Sequence, residues 1–151
     1  QESDTAIYEM QIDNAMALNE KLPPIKGIYY FSYACDATIL ADDGTRSLDP
    51  ELGGGMYKVS GARLCTYEGV TPSGYVIDEK WQANAGLVNT YSALVPIGAP
   101  SVDYNADSVT TGIWNVMPVM RGNHSTLQGG MTKALNGRIF FVELLSMINS
   151  L

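Results

Sequence analysis

The sequence is short of histidine, cysteine and basic residues, and it has no long apolar run. Its 151 residues include one histidine, two cysteines and nine Lys and Arg against 16 Asp and Glu, which gives a formal net charge of −7. The basic residues are scattered singly, so we expect no nucleic-acid partner. The acidic balance would also weaken binding to anionic membranes. No apolar run approaches the roughly 20 residues that a membrane helix needs, so we expect no transmembrane segment.

Several motifs that identify enzymes and metal sites are missing from the chain. No Gly-x-Ser-x-Gly nucleophile elbow occurs. The glycine run at 53–55 is not followed by Lys and Ser or Thr, so no phosphate loop is predicted. Cys35 and Cys65 lack Cys-x-x-Cys spacing, which argues against a metal knuckle. In an exported protein they could form a disulfide, and otherwise they would be buried thiols; the sequence leaves both alternatives open.

The composition is that of a folded chain. Hydrophobic residues make up 46% and charged residues 17%, which is typical of a globular protein with much surface to bury. No linker or repeat divides residues 1–151, so we predict one unit. The chain begins at Gln1 without a methionine and carries no signal peptide. We therefore expect a processed or trimmed chain, or a fragment of a longer one.

The apolar pattern predicts few regular elements. We expect a short helix over 14–22 that is stopped by Pro23 and Pro24, and a buried strand over 28–33. The many turn residues of 36–75 predict a long irregular excursion, which is usually functional. A second strand over 112–120 should be interrupted or ended at Pro118.

The last segment predicts a helix that needs more surface than the predicted strands provide. Apolar residues recur at spacings of three and four over 138–151, so we expect a C-terminal helix packed on a core. A sheet of only two strands offers too little surface to cover the wide apolar face of this helix. Either the chain does not hold the whole fold, or further strands lie hidden in the excursion.

His124 is the only histidine and the natural candidate for chemistry. It follows the second predicted strand in the polar segment Arg121-Gly122-Asn123-His124-Ser125-Thr126. Loops beyond the carboxyl ends of strands are where α/β sheets place functional groups. Histidine is also the usual general base for an attacking nucleophile. On its own, however, a single histidine in a polar loop is more often an ordinary surface residue.

Three segments, in order and at similar spacing, resemble the C-terminal portion of the staphylococcal and thermoalkalophilic bacterial lipases. The first is Asp4-Thr5-Ala6-Ile7-Tyr8, followed by Ala17-Leu18-Asn19 and by Ile28-Tyr29-Tyr30-Phe31-Ser32. The second is Trp81-Gln82-Ala83-Asn84-Ala85-Gly86-Leu87-Val88-Asn89-Thr90, where the family reads Trp-x-x-Asn-Asp-Gly-x-Val-Asn-Thr. The third is Gly112-Ile113-Trp114-Asn115 followed by Asn123-His124, where the family has a Gly-x-Trp-x strand leading to Asp-His.

The resemblance implies an α/β fold, namely the C-terminal portion of an α/β-hydrolase three-layer sandwich that is incomplete without an N-terminal half. That half would be the chain's partner and would carry the nucleophile. The implied reaction is hydrolysis of a carboxylic ester or lipid, with His124 as the base of a Ser-His-Asp-type triad. The resemblance also implies a secreted protein, and no cofactor is required for this reaction.

Ala85 stands where the family has its triad acid, and a methyl group cannot orient or stabilise an imidazolium. Three interpretations remain open. Ala85 is an inactivating substitution in an otherwise intact motif; or an acid from elsewhere, with Asp78 or Glu79 nearest, has taken over; or the chain is a pseudo-hydrolase that binds or regulates instead of cleaving.

The resemblance also bears on metals and on the substrate. Asp4 matches a family aspartate of a zinc site, although it could equally be a cap or turn residue. Thr126 and Met131 stand where the family has calcium-binding carboxylates, so we expect that calcium site to be lost even though Gly53 matches a glycine whose carbonyl binds the ion. Apolar residues of the excursion could contact acyl chains or could simply pack the excursion onto the body; these are Leu40, Met56, Val59 and Tyr67.

Overall fold

A computed structural model describes residues 5–130 and 136–151 of the chain. The helices are α1 (Ala6–Glu9), α2 (Ile12–Lys21), α3 (Tyr57–Leu64), α4 (Thr90–Leu94) and α5 (Gly137–Asn149), with short 3-10 turns at Glu79–Trp81 and Thr126–Gln128. The strands are β1 (Tyr30–Ser32), β2 (Cys35–Asp36), β3 (Thr38–Leu40), β4 (Arg46–Leu48), β5 (Gly69–Val70), β6 (Val76–Ile77), β7 (Ser101–Asp103), β8 (Trp114–Val116) and β9 (Met120–Arg121).

The centre of the described fold is a parallel sheet with strand order β1-β8-β7. Tyr30 pairs with Trp114 in the register, and their rings lie 5.4 Å apart. Asn115, the middle residue of β8, is fully buried, and its side-chain amide donates to the carbonyl oxygens of Tyr30 and Thr110 at 3.0 and 2.8 Å. A buried amide needs such partners, so Asn115 fixes β8 against its neighbours.

Beyond this sheet, β1 and β8 continue as a second parallel pair, β2 with β9. Between the two pairs, two residues (Tyr33 and Ala34) lie opposite three, the segment 117–119. Pro118 lies in that segment and has no N–H to give to a ladder. The predicted interruption of the second strand at Pro118 is therefore confirmed, and pairing resumes at Met120, whose N–H donates to the Ala34 carbonyl at 2.9 Å.

The prediction of an irregular excursion over 36–75 needs correction. It contains an antiparallel hairpin of β3 and β4, the helix α3, and β5, which pairs with β6. The sequence pattern misses these strands because each is only two or three residues long, too short for a visible alternation. The turn residues Asp43 and Gly44 close the first hairpin. In this segment the turn residues therefore mark the connection between two short strands and do not indicate an irregular loop.

The C-terminal helix is present, but its packing is narrower than expected. Asn136 caps α5 by accepting from the Arg138 and Ile139 N–H groups. Phe140 is buried and packs edge-on against Tyr33 with ring centroids 5.2 Å apart. On its other faces α5 exposes apolar side chains, namely Ile139, Phe141, Val142, Leu145 and Ile148. Within the described residues the helix is thus packed along one face only, and β7, which the sequence pattern missed, is also exposed at all three positions.

The helix predicted over 14–22 is α2, which ends before Pro23 as expected. Both cysteines are buried free thiols, which is the second of the two alternatives that the sequence left open. Within 5–130 and 136–151, no helix is long and apolar enough to cross a membrane.

Candidate active site

His124 is exposed in a short turn that follows β9 and precedes the Thr126–Gln128 turn. The backbone reaches this turn through Gly122, whose N–H donates to the Asp36 carbonyl at 3.1 Å. A Cβ at Gly122 would lie 2.7 Å from the Thr126 side chain, so only glycine fits there. The loop therefore leaves the carboxyl end of the paired strands at a fixed point and presents the histidine to solvent.

Asn123, the residue before the histidine, is buried and organises the turn. Its amide nitrogen donates to the Leu52 carbonyl at 2.9 Å, and its side-chain oxygen accepts from the N–H and hydroxyl of Ser125 and from the Thr126 hydroxyl. Asparagine can both donate and accept, whereas an ionised aspartate only accepts. The donation to the Leu52 carbonyl is therefore a contact that an ionised aspartate at position 123 could not make.

Ala85 lies in a tight loop between the Glu79–Trp81 turn and α4, and only 6% of it is exposed. Its N–H donates to the Val88 carbonyl at 2.9 Å, and Asn84 and Asn89 form a bridge across the base of the loop. We call residues 84–89 the acid-position loop. The loop has a defined conformation in the absence of a carboxylate at its second position.

Asn84 is the main support of the acid-position loop, and the sequence singles it out only as part of a motif. It is fully buried. Its amide nitrogen donates to the Gly61 and Gln82 carbonyls at 3.2 and 2.9 Å and to the Cys65 sulfur at 3.4 Å, while its oxygen accepts from the Gly86 N–H at 2.8 Å. Burial raises the pKa of the Cys65 thiol, so the sulfur is held as a neutral acceptor.

Helix α3 covers the acid-position loop from the excursion. Gly86 has φ +96°, and a Cβ there would lie 2.6 Å from the Cβ of Tyr57, so both conformation and space require glycine. The Ser60 hydroxyl donates to the Gly86 carbonyl at 2.6 Å. The Tyr57 hydroxyl donates to the Ser125 hydroxyl at 3.1 Å, across to the turn that holds His124.

The structure brings the two predicted positions together at the backbone. The N–H of His124 donates to the carbonyl of Ala85 at 2.8 Å. Residues joined by such a bond are immediate neighbours. The Cβ of any side chain at position 85 is therefore close to the backbone of His124. The alternative acid Asp78 is engaged elsewhere, 3.4 Å from the ammonium of Lys80.

The predicted metal positions are not assembled in the described part of the chain. Asp4 and Met131 lie outside the described residues. The Thr126 hydroxyl donates to Asn123 and offers no carboxylate. In 5–130 and 136–151 there is no cluster of three or more His, Cys, Asp or Glu side chains that could hold a metal ion.

The four apolar candidates of the excursion are all exposed. Met56 and Val59, on or next to α3, are 77% and 74% exposed, and Leu40 and Tyr67 are more than half exposed. Hence they do not pack the excursion onto the part of the body that the structure describes.

Comparisons with known proteins find similarity to bacterial lipases and an esterase. No protein-family model matches the chain. A lipase of Staphylococcus hyicus is 30% identical over 151 residues, which cover 98% of this chain and 22% of that lipase. The solved structure of EstA from Clostridium botulinum has a TM-score of 0.83 at 25% identity, over 99% of this chain and 35% of that chain.

Two further solved structures are similar. Lipase 1 from Pelosinus fermentans has a TM-score of 0.81 at 26% identity, over 99% of this chain and 40% of its own. The Staphylococcus hyicus lipase structure has a TM-score of 0.76 at 25% identity, over 97% and 36%. The expected resemblance and fold class are thereby confirmed. The chain is a partial homologue of the bacterial lipases, a mixed α/β fragment that matches part of their α/β-hydrolase fold and spans 22 to 40% of the relatives' length.

Proposed function

We propose that this chain supplies the histidine base of a carboxylic ester hydrolase whose nucleophile lies outside these 151 residues. The observation that carries the proposal is the 2.8 Å hydrogen bond from the His124 N–H to the Ala85 carbonyl. It holds the only histidine next to the position where the lipase pattern has its acid. The relation to lipases and esterases supports the same reaction class.

The proposed chemistry follows from the roles of the groups. A serine attacks the ester carbonyl, His124 takes the serine proton, and the imidazolium returns it to the leaving alcohol. His124 is exposed on the described surface, so a nucleophile from the N-terminal half of the same hydrolase could reach it. The methyl group of Ala85 neither orients the ring nor stabilises its charge. In serine proteases the loss of this function costs on the order of ten thousand-fold in rate, so we propose that the chain as it stands is inactive.

The proposed substrate is an ester with apolar chains. The exposed Met56 and Val59 lie on the same segment as Tyr57 and Ser60, which contact the acid-position loop and the histidine turn. Apolar side chains in that position suit the acyl part of a lipid substrate. Secretion and lipid degradation are part of the same proposal and rest on the likeness to lipases alone, as does a zinc ligand role for Asp4.

A second candidate is a non-catalytic pseudo-hydrolase that binds or regulates. The observation that favours it is the intact support of the acid-position loop by Asn84, although residue 85 carries no carboxylate. A well-ordered loop without the acid is what we expect of a protein that uses this fold for binding and does not catalyse hydrolysis.

The deciding experiment is ester turnover by the polypeptide that includes the upstream reading frame. Ala85→Asp should raise p-nitrophenyl butyrate hydrolysis by about several hundred-fold, while the control Ala85→Asn should not, because its amide carries no charge. His124→Ala should abolish the gain. A reading frame without any Gly-x-Ser-x-Gly, or no gain with Ala85→Asp, would favour the pseudo-hydrolase.

A further inference from the structure

Tyr57 contacts the residue after each of the two predicted site positions. Its Cβ and ring carbons occupy the space beside Gly86, where an added Cβ would lie 2.6 Å from the Tyr57 Cβ and 2.9 Å from its Cγ. Its hydroxyl donates to Ser125 at 3.1 Å. One side chain therefore contacts the neighbour of Ala85 and the neighbour of His124.

These contacts close a ring of three elements. Helix α3 is joined to the acid-position loop through Gly86, that loop is joined to the histidine turn by the bond from His124 to Ala85, and the turn is joined back to α3 through Ser125. The Ser125 hydroxyl in turn donates to the buried Asn123 side chain at 3.1 Å. Each member of such a ring limits the movement of the other two.

We propose that Tyr57 is a positioning residue that holds the backbone of His124 in register with position 85. The inference rests on the proposed function, because it assigns a role within that site. Tyr57 touches no reacting atom; it acts through Ser125 and Gly86. Helix α3 thereby becomes part of the support of the proposed site.

The first measurement is amide hydrogen exchange by NMR in the 151-residue chain. Tyr57→Phe keeps the ring against Gly86 and removes only the hydroxyl. The His124 amide should exchange about 2- to 10-fold faster, the effect of losing one net hydrogen bond. The Met120 amide, bonded to Ala34 within the paired strands, should not change. Equal acceleration at both amides would indicate a general loss of stability and would overturn the proposal.

The second measurement follows the His124 ring, which is the only imidazole in the chain. Ala85→Asp should raise the ratio of imidazolium to imidazole at pH 7 about tenfold, because an adjacent carboxylate favours the charged ring. Tyr57→Phe should remove at least half of that increase. Ser125→Ala should remove at least as much, because it also breaks the Ser125 bond to Asn123. Adding Tyr57→Phe to Ser125→Ala should change little, because the contact between Tyr57 and Ser125 is already lost.

The matched control is Tyr67→Phe, which removes a hydroxyl from an exposed tyrosine of the same excursion. It should leave both measurements unchanged. If Tyr57→Phe behaves like this control, the positioning role is wrong. If Ala85→Asp has no effect on the ring while Tyr57→Phe still accelerates His124 exchange, the positioning of the backbone stands and the pairing of position 85 with His124 falls.

Discussion

The His124 backbone N–H donates to the Ala85 carbonyl, and this bond uses no side-chain atom of either residue. Substitutions at both positions can therefore be combined while the link between the two loops is kept. That makes the pair suitable for a double-mutant cycle, in which the coupling between an introduced acid and the histidine is measured apart from the fold.

Ala85→Asp should destabilise the chain by about 1–3 kcal/mol at pH 8, because position 85 is almost buried and a carboxylate there loses hydration. At pH 6 the cost should be smaller, because a charged His124 ring can pair with the acid. His124→Ala should cost about 0.5 kcal/mol or less alone, since His124 is exposed, but about 1–2 kcal/mol more in the Ala85→Asp background at pH 6. Urea unfolding of the parent chain, the two single variants and the double variant measures this coupling. Additive losses of stability would contradict the pairing of the introduced aspartate with His124.

Asn84→Ala should cost about 2–4 kcal/mol in the free energy of unfolding, because it leaves the buried Gly86 N–H without its partner and removes the side-chain donor to the Gly61 and Gln82 carbonyls. Asn105→Ala, in an exposed turn where the side chain accepts from the Asp107 N–H, is the matched control and should cost less than about 1 kcal/mol. Chemical denaturation compares the two. A similar cost for both would mean that Asn84 does not support the acid-position loop.

Both cysteines should react slowly with a thiol reagent while the protein is folded. Burial raises the pKa of the Cys35 thiol and of the Cys65 thiol, and it also blocks access, so little thiolate meets the reagent at pH 8. We expect modification with DTNB to be at least about tenfold slower than in guanidinium chloride. Two thiols should be counted after unfolding without reductant. Finding none would indicate a disulfide and contradict the free cysteines of the structure.

The contact between Asp13 and Ser73 should make stability depend on pH. Ser73 donates its hydroxyl and N–H to the Asp13 carboxylate at 2.6 and 2.9 Å, and the hydroxyl in particular lowers the pKa of Asp13 from its ordinary value of 3.8. A lowered folded-state pKa gives stability that is present above about pH 4 and is lost as the pH falls through the folded-state value.

Asp13→Asn should therefore lower the urea midpoint at pH 7, and its effect should shrink as the pH falls through the lowered folded-state pKa of Asp13, below which the carboxyl is protonated in both states. The control Asp42→Asn removes a carboxylate from the exposed hairpin turn and should lower the urea midpoint at pH 7 less than Asp13→Asn does. A constant effect of Asp13→Asn across this range would show that the contact does not depend on the charge.

The sequence was sufficient to predict helix α2 and the interrupted second strand, and its resemblance to lipases led to the two proposed site positions. Helix α2 and the interrupted strand pair β8 and β9 follow from apolar spacing and from proline, which act locally. The motif around Ala85 and His124 named the two positions. The contact between Ala85 and His124 could not be predicted from the sequence, because the two residues are 39 positions apart. A backbone hydrogen bond also does not depend on which side chains the two residues carry.

The supports of the site were harder to predict. Tyr57 lies in a segment whose short strands and helix gave no period, so nothing in the sequence pointed to its contacts with Gly86 and Ser125. The sequence marked Asn84 only as part of the motif that resembles the lipases, and gave no sign of its burial or of its four hydrogen-bond partners. Such residues are defined by long-range contacts, and composition and spacing report only local preference.

The segment 117–119, between β8 and β9, is one residue longer than the segment opposite it, and this affects the direction of the side chains that follow. Side chains alternate along a strand, so a change of one residue in length turns every following side chain to the opposite side. The stretch 117–119 is where the strand leading to His124 gains that residue over its neighbour. Pairing nevertheless resumes with Met120 opposite Cys35 and Arg121 opposite Asp36, so the extra residue is accommodated within 117–119 before the chain reaches the turn of His124.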